Sequence, residues 1–322
     1  MKLLHIVCLL LIPAIAGCAT TGQTKESPAE ASPAVTEPEE PSRPETIPAP
    51  APASPARPAK PPRDRQIKAK SLSPQETKLL EDNLVQARLD VREKPGDPLM
   101  HYKLGNCLFD LQRYKEAIEV YDRAIALAPT LPAPHTNRGL CLRRVGRVDE
   151  AIQEYQFALG IQPEDPVLLQ NLAIALEGEG ETLEAVKVLA RLANVRPDDV
   201  RVLARLAHGL FLLGRYSEAG WYFQEIVRLD PGLASDYYNL GLCYFQLRDY
   251  DRALMTWLTA LAHDGRNPSV NKGLAVLYWK RAEYEQAWNM VASCRSKGIA
   301  LDEKFLASLL KDSQEPTLAG GT

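Results

Sequence analysis

The chain has 322 residues, a formal net charge of −3, 45% hydrophobic residues and 25% charged residues. Such a composition can bury a sizeable core, and it excludes a chain drawn as a whole to nucleic acid or an anionic membrane. Its 25 prolines are unevenly spread: twelve fall between Pro28 and Pro62, so the excess is local and marks a boundary.

Lys2 gives a positive start, and Leu3 to Ile12 is a mainly apolar stretch of signal-peptide length, too short to span a bilayer comfortably. It leads to Ile15-Ala16-Gly17-Cys18, a small-residue cleavage region followed by cysteine. This tetrad resembles a bacterial lipobox. The resemblance implies removal of residues 1–17 and lipid attachment at Cys18, with several acyl chains giving a stable anchor. Ala19, where aspartate would signal retention, implies the periplasmic face of the outer membrane in a cell that has one.

Residues 18–70 form the next segment, mostly Pro, Ala, Glu, Ser and Thr from about Gln23 to Arg65. So few bulky apolar side chains cannot offset the entropy of ordering, and the prolines favour extended chain at ~3.1 Å per residue. A disordered tether reaching on the order of 100 Å follows. It is acid-rich from Glu30 to Glu45 and basic from Arg57 to Lys70, which could bring it near peptidoglycan. A helix or half-repeat is expected over 71–96, ending at Pro95.

Self-similarity then dominates. Prolines stand at 95, 129, 163, 197 and 231, each 34 residues from the last. Gly105, Gly139, Ala173, Ala207, Gly241 and Ala275 keep the same step, as do Ala117, Ala151, Ala185, Ala219, Ala253 and Ala287. Tyr121, Tyr155, Leu189, Phe223, Trp257 and Val291 follow four residues later. This pattern resembles the tetratricopeptide repeat. The resemblance implies an all-α, right-handed superhelix of about six helix hairpins over 97–299. Units begin near Pro98, Pro132, Pro166, Val200, Ala234 and Pro268. A capping helix is expected over 300–311 and a flexible tail over 312–322. Small residues are expected to let backbones approach, and closing prolines to end second helices. His101, His135 and Asn271 replace the usual bulky residue near three unit starts, and they are expected to loosen those sites.

The search for chemistry yields little. Cys107, Cys141 and Cys243 occupy equivalent sites at least one helix spacing apart, ~8–10 Å, beyond bridging distance. They and Cys294 read as packing thiols. The sequence has no His-Glu-x-x-His, no Cys-x-x-Cys, no Gly-rich phosphate loop and no Gly-x-Ser-x-Gly. Repeat-equivalent His101 and His135 read as packed side chains. The expectation is a chain with no catalytic, metal or cofactor site.

In the family that the repeats resemble, first helices line a concave groove through their fifth, ninth and twelfth places. That carries over to Tyr102, Asn106, Phe109, Leu140, Arg143, Ile174, His208, Phe211, Tyr238, Leu242, Phe245, Lys272, Val276 and Trp279. Thr136, Gln170, Ala204 and Glu177 complete the rows. The aromatic C-terminal half is expected to hold a partner protein as a helix or extended segment, and Phe245→Ala with Trp279→Ala to weaken capture without lowering the melting transition. Asn106 and Asn137 match part of a carboxylate clamp, but Tyr102 and Val167 stand where it needs basic residues, so a C-terminal carboxylate is not the expected ligand. The whole resembles, in architecture, repeat lipoproteins such as type IV pilotins and those of tight-adherence pili. That implies a membrane-anchored interaction scaffold assisting an envelope, pilus or secretion complex, with no role for nucleic acid. The alternative is an adaptor that recruits or regulates peptidoglycan enzymes.

Overall fold

The computed structural model describes residues 73–314, so the expected lipidation at Cys18, the expected signal and the expected tether lie outside the described residues. Every regular element in that range is helical. Helix α1 (Pro74–Glu93) opens on a capping box in which Ser73 and Glu76 satisfy each other's backbone N–H. Six hairpins follow: α2 (Pro98–Asp110) with α3 (Tyr114–Leu127), α4 (Pro132–Arg144) with α5 (Val148–Ile161), and α6 (Pro166–Glu179) with α7 (Thr182–Val195). Then come α8 (Val200–Leu212) with α9 (Tyr216–Leu229), α10 (Ala234–Gln246) with α11 (Tyr250–His263), and α12 (Pro268–Lys280) with α13 (Tyr284–Ser296). Helix α14 (Glu303–Asp312) closes the series.

Local chemistry explains the starts. Asp97, Asp165, Asp199 and Asn267 accept backbone N–H bonds at the heads of first helices, and prolines occupy the first turn of four of them. The turn inside each hairpin needs one left-handed residue, at 112, 146, 180, 214, 248 and 282. Glycine fills three of these places, while Gln112, Arg248 and Ala282 adopt the same positive φ with a Cβ. A Cβ there costs about 1–2 kcal/mol.

The small-residue sites do more than let backbones approach. A methyl group added at Gly105, Gly139 or Gly241 would fall 2.2–2.6 Å from the ring of Tyr121, Tyr155 or Trp257, sixteen residues onward. In the other three units alanine faces a smaller or differently shaped partner: Ala173 with Leu189, Ala207 with Phe223, Ala275 with Val291. The glycines are seats for large rings, and those rings are almost completely buried.

One expectation is corrected. His101 and His135 do not loosen their sites: each places Nε2 2.9 Å from the carbonyl oxygen of the proline six residues back. Asn271 donates likewise to Gly265 at 3.3 Å, and Lys297 reaches the same carbonyl at 2.9 Å. That carbonyl lies past a helix end and lacks an intrahelical partner, so a polar side chain there pins the turn that a bulky apolar one only covers. His135 also places Nδ1 2.7 Å from a Glu154 carboxylate oxygen.

One buried cluster runs from Leu84 to Leu277 through successive hairpins. A second joins Ala275, Ala287, Trp288 and Val291 to Phe305 and Leu309 of α14. Phe305 and Leu309 stand 34 residues beyond Asn271 and Ala275, so α14 takes the register of another first helix.

Candidate protein-docking groove

Each second helix packs on the first helix of the next unit, and some first helices also meet directly: α2 with α4, α4 with α6, α10 with α12. No neighbouring second helices come that close, so first helices form the inner row of the array. Helix α8 does not approach α6 or α10 as closely as the other inner pairs approach each other. There the row opens into a cleft of about 540 Å³. Its apolar lining comes from Ala185, Val186, Leu189, Ala204 and Phe223; its polar rim includes Glu177, Arg205, His208 and Asn239. Glu177 accepts two hydrogen bonds from the Arg205 guanidinium, at 2.7 and 3.2 Å, across adjacent units.

Of the residues that sequence reasoning placed in the groove, His208 lies at this cleft and is exposed, together with Ala204 and Glu177 from the same rows. Tyr102 and Asn106 belong to a polar network at the first unit. The Asn106 side-chain oxygen accepts from the Tyr121 hydroxyl at 2.7 Å and from Asn137 at 2.8 Å, and Asn137 also donates to the Tyr102 hydroxyl at 3.3 Å. Leu140, Leu242, Ile174 and Val276 are half-buried along the row, and Lys272 is exposed.

The aromatic residues are wall as much as surface. Phe109 packs edge-on against Tyr114 and Phe211 against Tyr216, with centroids 5.5 and 5.1 Å apart. Tyr238 and Phe245 both stack on buried Trp257, at 5.9 and 5.7 Å. Trp279 turns toward α14: its indole N–H donates to Asp312 at 2.8 Å, and its ring meets Phe305 at 5.9 Å. These rings are half-buried, so their row is not a freely exposed strip.

Reading the first helices alone missed the second-helix residues that floor the cleft. A signal was present: Ala204 is small where the fifth unit has Tyr238.

Charge is segregated. The six first helices carry eight Lys or Arg against four Asp or Glu, and the six second helices carry seven against eleven. Around the hairpin turns charges are spent locally, as in Arg113–Glu116, Arg147–Glu150, Arg215–Glu218 and Arg252–Asp249. Hydrogen bonding from Arg113 holds the Glu116 carboxyl below its ordinary range. On the inner row, Lys103, Arg143, Arg144 and Lys272 have no carboxylate within 4.0 Å among the described residues. The Arg143 Nε–H and the Tyr155 hydroxyl are both buried, with the Arg143 guanidinium beside the Tyr155 hydroxyl. Burial pushes the Tyr155 hydroxyl up to about 12, partly offset by the nearby Arg143 cation.

Cys107, Cys141, Cys243 and Cys294 are free thiols. Burial pushes Cys141 and Cys243 up to about 12 and raises Cys107 and Cys294 as well, the reverse of what a nucleophile needs. Among the described residues no group of three or more His, Cys, Asp or Glu could hold a metal ion, and no helix is long and apolar enough to cross a membrane.

No curated protein sequence matches this chain. Among solved structures, YrrB, described as a TPR protein with an unusual peptide-binding site, aligns with TM-score 0.51 and 21% identity over 57% of this chain and 95% of its own. A chain of Naa15/Naa10 bound to HypK-THB aligns with TM-score 0.59 and 18% identity over 74% of this chain, which spans only 37% of that one. PilF of Pseudomonas aeruginosa aligns at TM-score 0.42 and 17% identity over 62% of this chain and 90% of its own, too distant to carry an argument. The likenesses to YrrB and the Naa15/Naa10 chain show the fold. A TPR-repeat model matches residues 105–146, and tetratricopeptide-repeat models match 142–208 and 237–261. With the 34-residue register and the stacked hairpins, they show that this chain carries an array of tetratricopeptide repeats, the architecture of a protein-interaction scaffold.

Proposed function

We propose that the array is a non-catalytic docking platform of the bacterial envelope, lipid-anchored through Cys18, whose inner row binds a segment of another protein. The observation that carries the docking is the cleft at the middle of the inner row, where an apolar lining lies beneath a polar rim. Such a recess fits one side chain of a bound segment, while the rim hydrogen-bonds its backbone. The peptide-binding site ascribed to YrrB is a parallel carried over to this chain as part of the proposal. The anchor reading rests on Ile15-Ala16-Gly17-Cys18, and the proline-rich segment would hold the array off the lipid. In that setting the platform would assist assembly of an envelope, pilus or secretion complex.

Two measurements test this. Labelled palmitate should enter the wild-type chain and not Cys18→Ser, and incorporation into the mutant would remove the anchor. A photo-crosslinking residue at Ile174 or Leu242 should capture a partner that one at outward-facing Leu258 does not. Capture from Leu258 alone would put docking on the second helices.

A further inference from the structure

We propose that the occupant of the inner row is an acidic segment with one bulky apolar side chain. The apolar side chain enters the cleft between the third and fourth units, and the carboxylates lie over the first two. This deepens the docking reading and rests on it.

The cleft sets the anchor. Ala204 withdraws side-chain bulk from α8, Gly209 seats Val186, and Val186, Leu189 and Phe223 supply apolar lining, so a leucine or phenylalanine displaces water there. The rim does not call for a charged anchor, because Arg205 and Glu177 already neutralise each other.

Charge sets the rest of the segment. Toward the N-terminal side stand Lys103, Arg143 and Arg144, none paired with a carboxylate among the described residues. The acidic residues of the first three first helices are Asp110, Glu177 and Glu179, of which Glu177 is engaged by Arg205. At three hairpin turns an arginine sits in an i,i+3 pair with a glutamate. In a chain of net charge −3, first helices that carry eight Lys or Arg against four Asp or Glu, with Lys103, Arg143 and Arg144 unpaired, present a basic lane to an incoming chain.

The test uses the full-length chain and short labelled peptides with a run of glutamates at one end and a single phenylalanine at the other, in both orders. Fluorescence anisotropy should show binding that weakens with added salt. Lys103→Glu with Arg144→Glu should weaken it about tenfold, as should replacing the phenylalanine by alanine. Ala204→Trp should block the cleft; His208→Trp, at an exposed position, blocks its mouth if the first variant fails to fold. Equal binding of a lysine-run peptide, or indifference to the charge reversal, would overturn the proposal. So would binding that emerges only after deletion of residues 28–62, which would make the chain's own acid-rich segment the occupant. Groove crosslinks to a neutral or basic partner segment would sink this inference and leave the docking reading standing. No groove crosslinks at all would sink both.

Discussion

The middle of the array and its C-terminal third use the same helix pairs to opposite ends. In the fifth unit Tyr238, Phe245 and Tyr250 close around buried Trp257, and in the sixth Trp279 is drawn onto α14. In the fourth unit Phe211 and Tyr216 pair likewise, but Ala204 stands where the fifth unit has Tyr238, and the row opens into the cleft between the third and fourth units. Aromatic content therefore does not locate the recess. Rings that find each other become structure, and space appears where side chains are small.

The contrast can be broken most sharply at its two extremes. Trp257→Ala should cost about 3–5 kcal/mol, because the ring is almost wholly buried and its N–H is held by the Tyr238 carbonyl at 3.0 Å. Leu212→Ala at the cleft should cost under about 0.5 kcal/mol, since Leu212 is 62% exposed. Denaturant unfolding followed by circular dichroism reads both, and equal costs would erase the distinction. By the same reasoning Phe245→Ala with Trp279→Ala should lower the melting transition, contrary to what the sequence alone predicts, since both rings pack on structural neighbours.

A smaller effect tests the ring seat. Gly241→Ala should destabilise by about 1–3 kcal/mol through its clash with Trp257. Adding Trp257→Leu should recover part of that loss by recreating the Ala173–Leu189 pairing. Two costs that simply add would show that the pair is not coupled.

Smaller again is the turn. Ala282→Gly should stabilise by about 1 kcal/mol, because Ala282 already holds φ 58°. A lowered unfolding midpoint would mean that backbone freedom in the unfolded chain outweighs relief of that strain.

The thiols give the gentlest handle. Cys141 and Cys243 bind their protons more tightly in the folded chain than the ordinary thiol value of 9.0, so folding favours the protonated form. Their contribution to stability is complete below about pH 9 and is lost as the pH rises toward 12. A thiol reagent at pH 8 should modify both only after unfolding; rapid modification of the native chain would place them at the surface.

The period, the six unit starts and the helical class were legible because each unit repeats its own apolar and small-residue places. The left-handed turn was not read: Gly146, Gly180 and Gly214 hint at it, but Gln112, Arg248 and Ala282 hide it in the other units. The roles of His101, His135 and Asn271 were not legible either, because the carbonyl each one pins belongs to a turn whose geometry exists only once the helices stack. The cleft was invisible for a related reason. Its lining joins Val186 and Leu189 of one unit with Gly209 and Phe223 of the next, and no single unit contains it.

The ring seats carry one more consequence. Each glycine and the side chain it accommodates lie sixteen residues apart, well inside one 34-residue unit. Duplication or shuffling of whole units therefore inherits lock and key together, whereas a point change at either place is answerable to the other. Seats that cross a boundary, such as Gly273 against Trp257 and Gly209 against Val186, tie each unit to its neighbour as well.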